Sequence, residues 1–407
     1  MDYEPIAIIA TFAFFYSVLA ARFQHSKFGG AVAFMGFGLA MGPVGLGLLT
    51  INGTSSDFRA IAEITLALVL FADASQADMS VLRRSFRIPG RLILIGLPLT
   101  ILLGFAFGVL LFDDLTMIEV AILAAILAPT DAALGKAVVT NKKVPAEIRE
   151  ALSFESGLND GVCVPVFLTF LALATLETSH GGDSGLFLPL LVQELGIGAL
   201  VGAAFAMGGA FVLRLFRKDG WATDSWVQIP VIALSIACFA SAQMLHGSGF
   251  IAAFVGGLVF GAAMRRGKHE LVRPAEGMSD VFALITWVVF GAAVLAPALR
   301  GITWEVILYA ICSLTVVRML PVFLSLAGTD LDTPKKLFIG WFGPRGLATG
   351  VFAVMVMDSG IAGAATIVST AVCTILFSIL AHGISSLPFV AALARKERPG
   401  DPAQSLD

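Results

Sequence analysis

The sequence predicts an all-α polytopic membrane protein with thirteen transmembrane helices. Of its 407 residues, 57% are hydrophobic and 14% are charged, and the mean hydropathy is +0.90. Soluble domains carry about 25% charged residues, so this composition excludes a soluble fold. Apolar stretches of the required length, about 20 residues each, follow one another along nearly the whole chain. The net charge of -3 argues against nucleic acid as a partner.

The first apolar stretch follows two acidic residues, Asp2 and Glu4, and no basic region, so we expect a retained helix rather than a signal peptide. The four cysteines all fall inside apolar runs and are expected to pack as small hydrophobic residues. The thirteen predicted spans cover residues 5–21, 28–50, 58–78, 88–112, 115–140, 149–177, 185–213, 226–245, 247–264, 278–299, 302–327, 336–357 and 361–393.

The distribution of basic residues sets the expected orientation. All but five of the 26 Lys and Arg residues lie in the odd-numbered connections and in the C-terminal tail, residues 395–407. Because cytoplasmic loops are rich in Lys and Arg, the N-terminus is expected outside and the C-terminus in the cytoplasm, with the protein in the cell membrane of a bacterium. The five exceptions are Arg59 and Arg300 on the other side, and Lys136, Arg318 and Arg345 within spans.

The sixth span contains the most informative segment, Phe-Glu-Ser-Gly-Leu-Asn-Asp-Gly over residues 154–161. A charged side chain at bilayer depth costs roughly 2.5–3.5 kcal/mol on insertion scales, so it marks a functional site by default. Residues four apart share a helix face, which places Glu155 above Asn159. By the same spacing, oxygens of Ser156 and Asp160 point the same way and are expected to hold a small hard cation or a proton.

Two spans at corresponding positions of the two predicted six-helix halves are interrupted. The fifth contains Pro129, Thr130 and Asp131, and the twelfth contains Pro344 and Arg345 among several glycines. Pro removes a helix hydrogen bond, and non-helical backbone at membrane depth is tolerated only when it is buried in protein or lines a cavity. Paired interruptions of this kind point to a transporter binding site. We expect Asp131 to neutralise positive half-helix ends and Arg345 negative ones.

These motifs resemble the monovalent cation–proton antiporter superfamily, in its NhaP/NHE-like branch with an Asn-Asp pair. The resemblance covers almost the whole chain and implies two inverted six-helix repeats with two crossed broken helices. It also implies a homodimer built from a single membrane domain, residues 1–394. In that domain the core helices are expected at about 88–177 and 302–393, the dimerisation helices at about 5–78 and 226–299, and a linker helix at about 185–213.

The resemblance also implies roles for single residues. Asp160 matches the aspartate that binds the cation and the proton, and Asn159 matches the Asn of the pair. Ser156 and the backbone carbonyl of Thr130 match cation ligands. Asp131 is expected near the ion as well as at the helix crossing.

Three further residues have implied roles. Glu155, described above, matches an acid that forms a structural ion pair with a core arginine, here Arg318. Arg345 matches a charge at the helix crossing. Asp73 is a weaker ligand candidate, because family members with an acid in the third span carry it directly after Phe, where this chain has Ala72.

The function implied is exchange of a monovalent cation for H⁺ by alternating access, with Asp160 binding either ion and with an electroneutral 1:1 ratio. Na⁺ is the expected cation, with K⁺ or Li⁺ as alternatives, and pH homeostasis is the expected role. No enzyme activity and no cofactor are expected. A cation channel and an intramembrane hydrolase using His246 and Ser248 are the competing classes, although a turn between helices explains that short motif better.

Overall fold

The computed structural model describes residues 3–24, 29–50, 56–76, 87–131, 133–180, 187–218, 226, 229–264 and 268–396. Within these ranges the regular structure is entirely helical. In chain order the helices are α1 (Tyr3–Gln24), α2 (Gly29–Met41), α3 (Ser56–Gln76), α4 (Arg87–Leu111), α5 (Met117–Ile126), α6 (Lys136–Val139), α7 (Ala146–His180), α8 (Phe187–Lys218), α9 (Pro230–Met244), α10 (Gly249–Ala263), α11 (Lys268–Phe290, continuing to Arg300), α12 (Trp304–Leu314 and Val316–Ser325), α13 (Thr333–Trp341), α14 (Leu347–Asp358) and α15 (Ala364–Lys396).

The protein is a multi-pass membrane protein. Within the described part of the chain, seven helices (α1, α4, α7, α8, α11, α12 and α15) are long and apolar enough to cross a bilayer. Five shorter apolar helices, α2, α5, α9, α10 and α14, accompany them. The all-helical class is therefore confirmed, whereas the number of thirteen spans stays a prediction.

The bounds of the second and tenth predicted spans differ clearly from the structure. The second was expected to continue to residue 50, but α2 ends at Met41. The chain then turns, because Pro43 has no N–H to donate to the helix and Gly47 adopts a φ of +69°. Later in the chain, α11 begins at Lys268, ten residues before the expected start of the tenth span.

The fifth and twelfth spans are broken as predicted. Helix α5 ends at Ile126, and regular helix resumes at Lys136. Helix α13 ends at Trp341, and α14 begins at Leu347 after a non-helical stretch that contains Pro344. Both prolines lie inside the interruptions, where their missing N–H group costs no helical hydrogen bond.

The packing brings the two broken spans together next to α7. Helix α7 packs on α5, α3 and α10, while α14 packs on α15, α3 and α5. Helix α3 in turn packs closely on α10 and α11. The site described below therefore lies between α7, the two breaks and α3, and the division into core and dimerisation helices stays a prediction.

Candidate ion site at the crossing of two broken helices

The two breaks are joined by Asp131. Its backbone N–H donates to the carbonyl of Pro344 over 2.7 Å. Its carboxylate accepts from backbone N–H groups on both sides of the crossing: Oδ1 from Ala133 and Leu134 at 2.7 and 3.2 Å, and Oδ2 from Leu347 at 2.8 Å. Leu347 is the first residue of α14, so this carboxylate caps the positive end of a half-helix.

Arg345 occupies the opposite electrostatic position. Its side chain is fully buried, and Nη1 donates to the carbonyls of Ala128 and Pro129 over 2.7 and 3.0 Å. These carbonyls follow α5, where the helix leaves acceptors without partners. The backbone N–H of Arg345 donates to Ser378 Oγ at 2.7 Å. The Arg345 guanidinium in the second break thus satisfies the negative end of the first broken helix.

Two glycines in the second break are required by close approach. A Cβ on Gly346 would overlap the carboxylate of Asp131, and a Cβ on Gly343 would lie 2.6 Å from Nε of Arg318. Real Cβ atoms do not approach so closely. The two glycines therefore let a capping carboxylate and a buried guanidinium lie directly against the backbone of the break.

Gly346→Ala is expected to lower the free energy of unfolding by about 1–3 kcal/mol, as overpacking does, because the new methyl group displaces the Asp131 carboxylate from the start of α14. Thermal unfolding in detergent measures the change. Gly277→Ala on α11 is the matched control, since its Cβ would meet no atom within 4 Å. Equal unfolding temperatures for the two variants would contradict this account of the crossing.

A buried polar cluster lies beside the first break. The Thr130 hydroxyl accepts from Nδ2 of Asn159 at 2.6 Å and lies 3.1 Å from the hydroxyl of Ser156. All three side chains are buried, and so is Asp160, which is 8% exposed. Within the described part of the chain, Oδ1 of Asn159 and Oδ1 of Asp160 are buried and have no hydrogen-bond partner. A buried acceptor without a partner costs about 1–3 kcal/mol unless something supplies the missing contact.

The electrostatic surroundings of Asp160 are set by three charged residues. Asp131 and Asp73 act on its carboxylate as like charges, and Arg345 acts as an opposite charge. Asp73 belongs to α3, and a Cβ added to Gly157 of α7 would lie 3.7 Å from the Cβ of Asp73. The structure thus brings Asp73 to the edge of the site from a neighbouring helix, although the sequence pattern gave it less weight than the other residues.

Glu155, one turn before Asn159 on α7, forms a buried ion pair. Arg318 donates through Nη1 and Nη2 to its two carboxylate oxygens, over 2.5 and 2.8 Å. Both residues are at most 2% exposed. Arg318 follows Thr315, at which α12 is interrupted. Such a two-pronged pair leaves the Glu155 carboxylate engaged, in contrast to that of Asp160.

Several polar residues that support the breaks were missed by sequence reasoning. Thr349 donates to the carbonyl of Ile126 at 2.9 Å, which satisfies the last residue of α5. Glu119 forms a capping box with Thr116 and also accepts from the backbone N–H of Gly363 at 2.6 Å. The spacing Thr-x-x-Glu before an apolar run was a readable signal for that cap. No comparable local signal exists for Thr349.

The short His-Gly-Ser-Gly motif proves to be a helix start. His246 adopts a φ of 57° in the turn after α9, and the Ser248 hydroxyl accepts from the backbone N–H of Ile251 at the start of α10. The serine oxygen thus caps a helix. This arrangement explains the motif without a hydrolytic role.

The amino-acid sequence is similar to a protein family and to several characterised relatives. The family model described as "Sodium/hydrogen exchanger, transmembrane" matches residues 9–392. The K(+)/H(+) antiporter NhaP2 of Shewanella sp. (strain MR-4) is 26% identical over 371 residues, which are 91% of this chain and 63% of that protein. The Na(+)/H(+) antiporter of Schizosaccharomyces pombe is 25% identical over 360 residues, 80% of this chain and 75% of the relative. This chain therefore spans less than two thirds of the length of the Shewanella protein.

A solved structure has the same fold. The sodium proton antiporter MjNhaP1 from Methanocaldococcus jannaschii matches with a TM-score of 0.77 at 21% identity, over 96% of this chain and 97% of that one. The family model extends from within α1 to within α15 and includes both breaks and the polar cluster. The chain belongs to the transmembrane sodium/hydrogen exchanger family, a family of secondary transporters rather than enzymes.

Proposed function

We propose that the protein exchanges a monovalent cation for H⁺ and that Asp160 holds the two ions alternately. The observation that carries the proposal is the pair of buried, unpartnered oxygens, Oδ1 of Asp160 and Oδ1 of Asn159, beside the hydroxyls of Thr130 and Ser156. Carboxylate, amide and hydroxyl oxygens are hard ligands that suit an alkali cation. A proton on Asp160 satisfies the same carboxylate in another way.

Coupling follows from the cost of burying a net charge. With a proton or a cation bound, the site is close to neutral and can change its access from one side to the other. Empty and ionised, it is held back because an uncompensated buried charge is strongly unfavourable. Exchange therefore requires that one ion replaces the other at Asp160.

A 1:1 electroneutral ratio follows if Asp160 is the single group that titrates in the cycle. Glu155 is engaged by Arg318, and the neighbouring position 159 is an asparagine, which carries no proton to exchange. The Asp131 carboxylate is occupied by three backbone N–H groups, so we assign it to the crossing rather than to the cation.

Na⁺ is the cation that we propose, and K⁺ is the alternative. Oxygen ligands of these types do not by themselves discriminate between the two ions. The relatives named above include a K⁺/H⁺ antiporter and a Na⁺/H⁺ antiporter. We further propose a homodimer in the cell membrane, with the N-terminus outside and the C-terminus in the cytoplasm. The asymmetric placement of Lys and Arg supports that orientation.

Exchange by proteoliposomes tests the function. A pH gradient is imposed, Na⁺ or K⁺ is added, and internal pH is followed while the membrane voltage is clamped at several values. We expect Na⁺ to dissipate the gradient at a rate that does not depend on voltage. A response to K⁺ alone would identify K⁺, and not Na⁺, as the exchanged cation. A rate that depends on voltage would reject the 1:1 ratio. Currents larger than transporter turnover would indicate a channel.

A further inference from the structure

His382 connects both ends of the second break to helix α15. Its imidazole is 5% exposed. Nε2 lies 2.7 Å from the carbonyl oxygen of Trp341, the last residue of α13, and Nδ1 lies 2.7 Å from the carbonyl oxygen of Ser378. The Ser378 hydroxyl accepts from the backbone N–H of Arg345. One ring therefore lies between the end of α13 and the serine that anchors Arg345.

The two contacts of the ring depend on its proton. A carbonyl oxygen accepts and never donates, so a nitrogen at 2.7 Å from it needs a hydrogen. The imidazolium carries a hydrogen on both nitrogens, whereas the neutral ring carries one. Loss of the proton therefore breaks the hydrogen bond to Trp341 or the one to the Ser378 carbonyl.

Ser378 connects the protonation of the ring to Arg345. Its hydroxyl lies 3.2 Å from Nδ1 of His382 and can donate to that nitrogen when the nitrogen carries no proton. The same oxygen accepts from the Arg345 N–H, and the Arg345 side chain donates to the carbonyls of Ala128 and Pro129. A change at the imidazole is thus transmitted through three hydrogen-bonded groups to the residue before Thr130.

The charges around the ring oppose its protonated form. Arg345 in the second break and Arg318 on α12 act on the imidazole as like charges, and the Glu155 carboxylate on α7 compensates Arg318. The Asp131 carboxylate is held by backbone N–H groups at the crossing. Helix α11 packs against α15 through its last segment, Ala296–Arg300, and its residues Arg273, Glu276 and Asp280 precede that segment. The other charged side chains on the segments packed against α15 are Glu119, Lys136, Arg300, Glu305, Lys335, Lys336 and Asp358. Burial of the ring and the two guanidinium groups therefore oppose the protonated form, while the two carbonyl acceptors stabilise it.

We propose that His382 is a positioning residue whose protonation fixes the second break and thereby sets the pH range over which exchange runs. The proposal rests on the exchange function proposed above. Protonated, the ring ties Trp341 to α15 and leaves the Ser378 hydroxyl to Arg345. Without a hydrogen on Nδ1, the ring releases the Ser378 carbonyl and accepts from the Ser378 hydroxyl, which reorients the oxygen that accepts from Arg345; without one on Nε2, it releases the Trp341 carbonyl.

The test is the pH profile of cation-driven exchange in proteoliposomes containing wild type or His382→Gln. The Gln amide donates to the Trp341 carbonyl but does not titrate. We expect a maximal rate within about threefold of wild type and a displacement of the pH of half-maximal rate by about half a unit or more. His246→Asn, in the turn after α9, is the matched control and is expected to leave the profile unchanged. A rate lowered by the same factor at every pH, or an unchanged profile, would overturn the proposal.

A second measurement does not depend on transport or on that variant. Nitrogen NMR of ¹⁵N-histidine-labelled wild-type protein reports the protons on each ring, and Ser378→Ala identifies the His382 signals by their displacement. We expect two N–H groups at acidic pH and one after titration within the range of exchange. A single unchanging tautomer would overturn the role of His382. If the wild type shows this titration but no cation-driven exchange, the proposed function fails and the assignment of the titrating ring stands.

Discussion

Asp160→Asn is expected to reduce cation-driven proton exchange by about 100-fold or more, to the level of empty vesicles, because the amide cannot take up and release a proton at bilayer depth. The side chain keeps its size and its buried position on α7, so the fold should be retained. Proteoliposome exchange with Na⁺ and with K⁺ measures the loss, and thermal unfolding in detergent checks the fold.

Asp330→Asn provides the matched control for this substitution. The Asp330 carboxylate is 99% exposed and lies 3.8 Å from Arg87, a surface pair that contributes little. Its variant should exchange at the wild-type rate. Normal exchange by Asp160→Asn would remove Asp160 from the centre of the mechanism and would leave the neighbouring carboxylate of Asp73 to be examined.

Arg318→Met is expected to destabilise the protein by about 3–5 kcal/mol, because removal of one partner leaves the Glu155 carboxylate buried without its cation. The free energy of unfolding in detergent measures this effect. Arg87→Met is the control, since its side chain is 71% exposed. The double variant Glu155→Leu/Arg318→Met should recover much of the stability, because replacing both partners by apolar groups is often close to neutral.

The double variant also separates a structural pair from an ion ligand. If Glu155 and Arg318 only fix the fold, the double variant should retain the apparent affinity for the cation even where its maximal rate falls. A loss of cation affinity with normal stability would instead place Glu155 among the groups that bind the ion.

The sequence was sufficient for the membrane class, for both breaks and for the face of α7 that carries Ser156 and Asp160. Composition set the class. Pro129 and Pro344 indicated the two breaks because each stands beside an ionisable residue, whereas Pro165 and Pro388 lie inside helices. The i,i+4 spacing put Ser156 and Asp160 on one side, since a helix fixes that geometry locally. These features depend on residues close together in the chain.

What the sequence did not predict depends on contacts between distant segments. The contacts of the Thr130 hydroxyl with Asn159 and Ser156 were not predicted, and the role of the Thr130 backbone carbonyl as a cation ligand stays a prediction. Asp131 was expected both near the ion and at the crossing, and its oxygens are taken by backbone groups more than 200 residues apart. The contact between His382 and Trp341 likewise forms only when α13 and α15 pack together, so no local sequence pattern predicts it.

The central claim is that a proton and a cation compete for Asp160. The most direct test is proton release when Na⁺ or K⁺ is added to the purified, unbuffered protein at a fixed pH near its half-maximal exchange. The account predicts about one H⁺ released for each cation bound, and no release from Asp160→Asn, as linkage between the two ions requires. Cation binding without proton release in the wild type would contradict it.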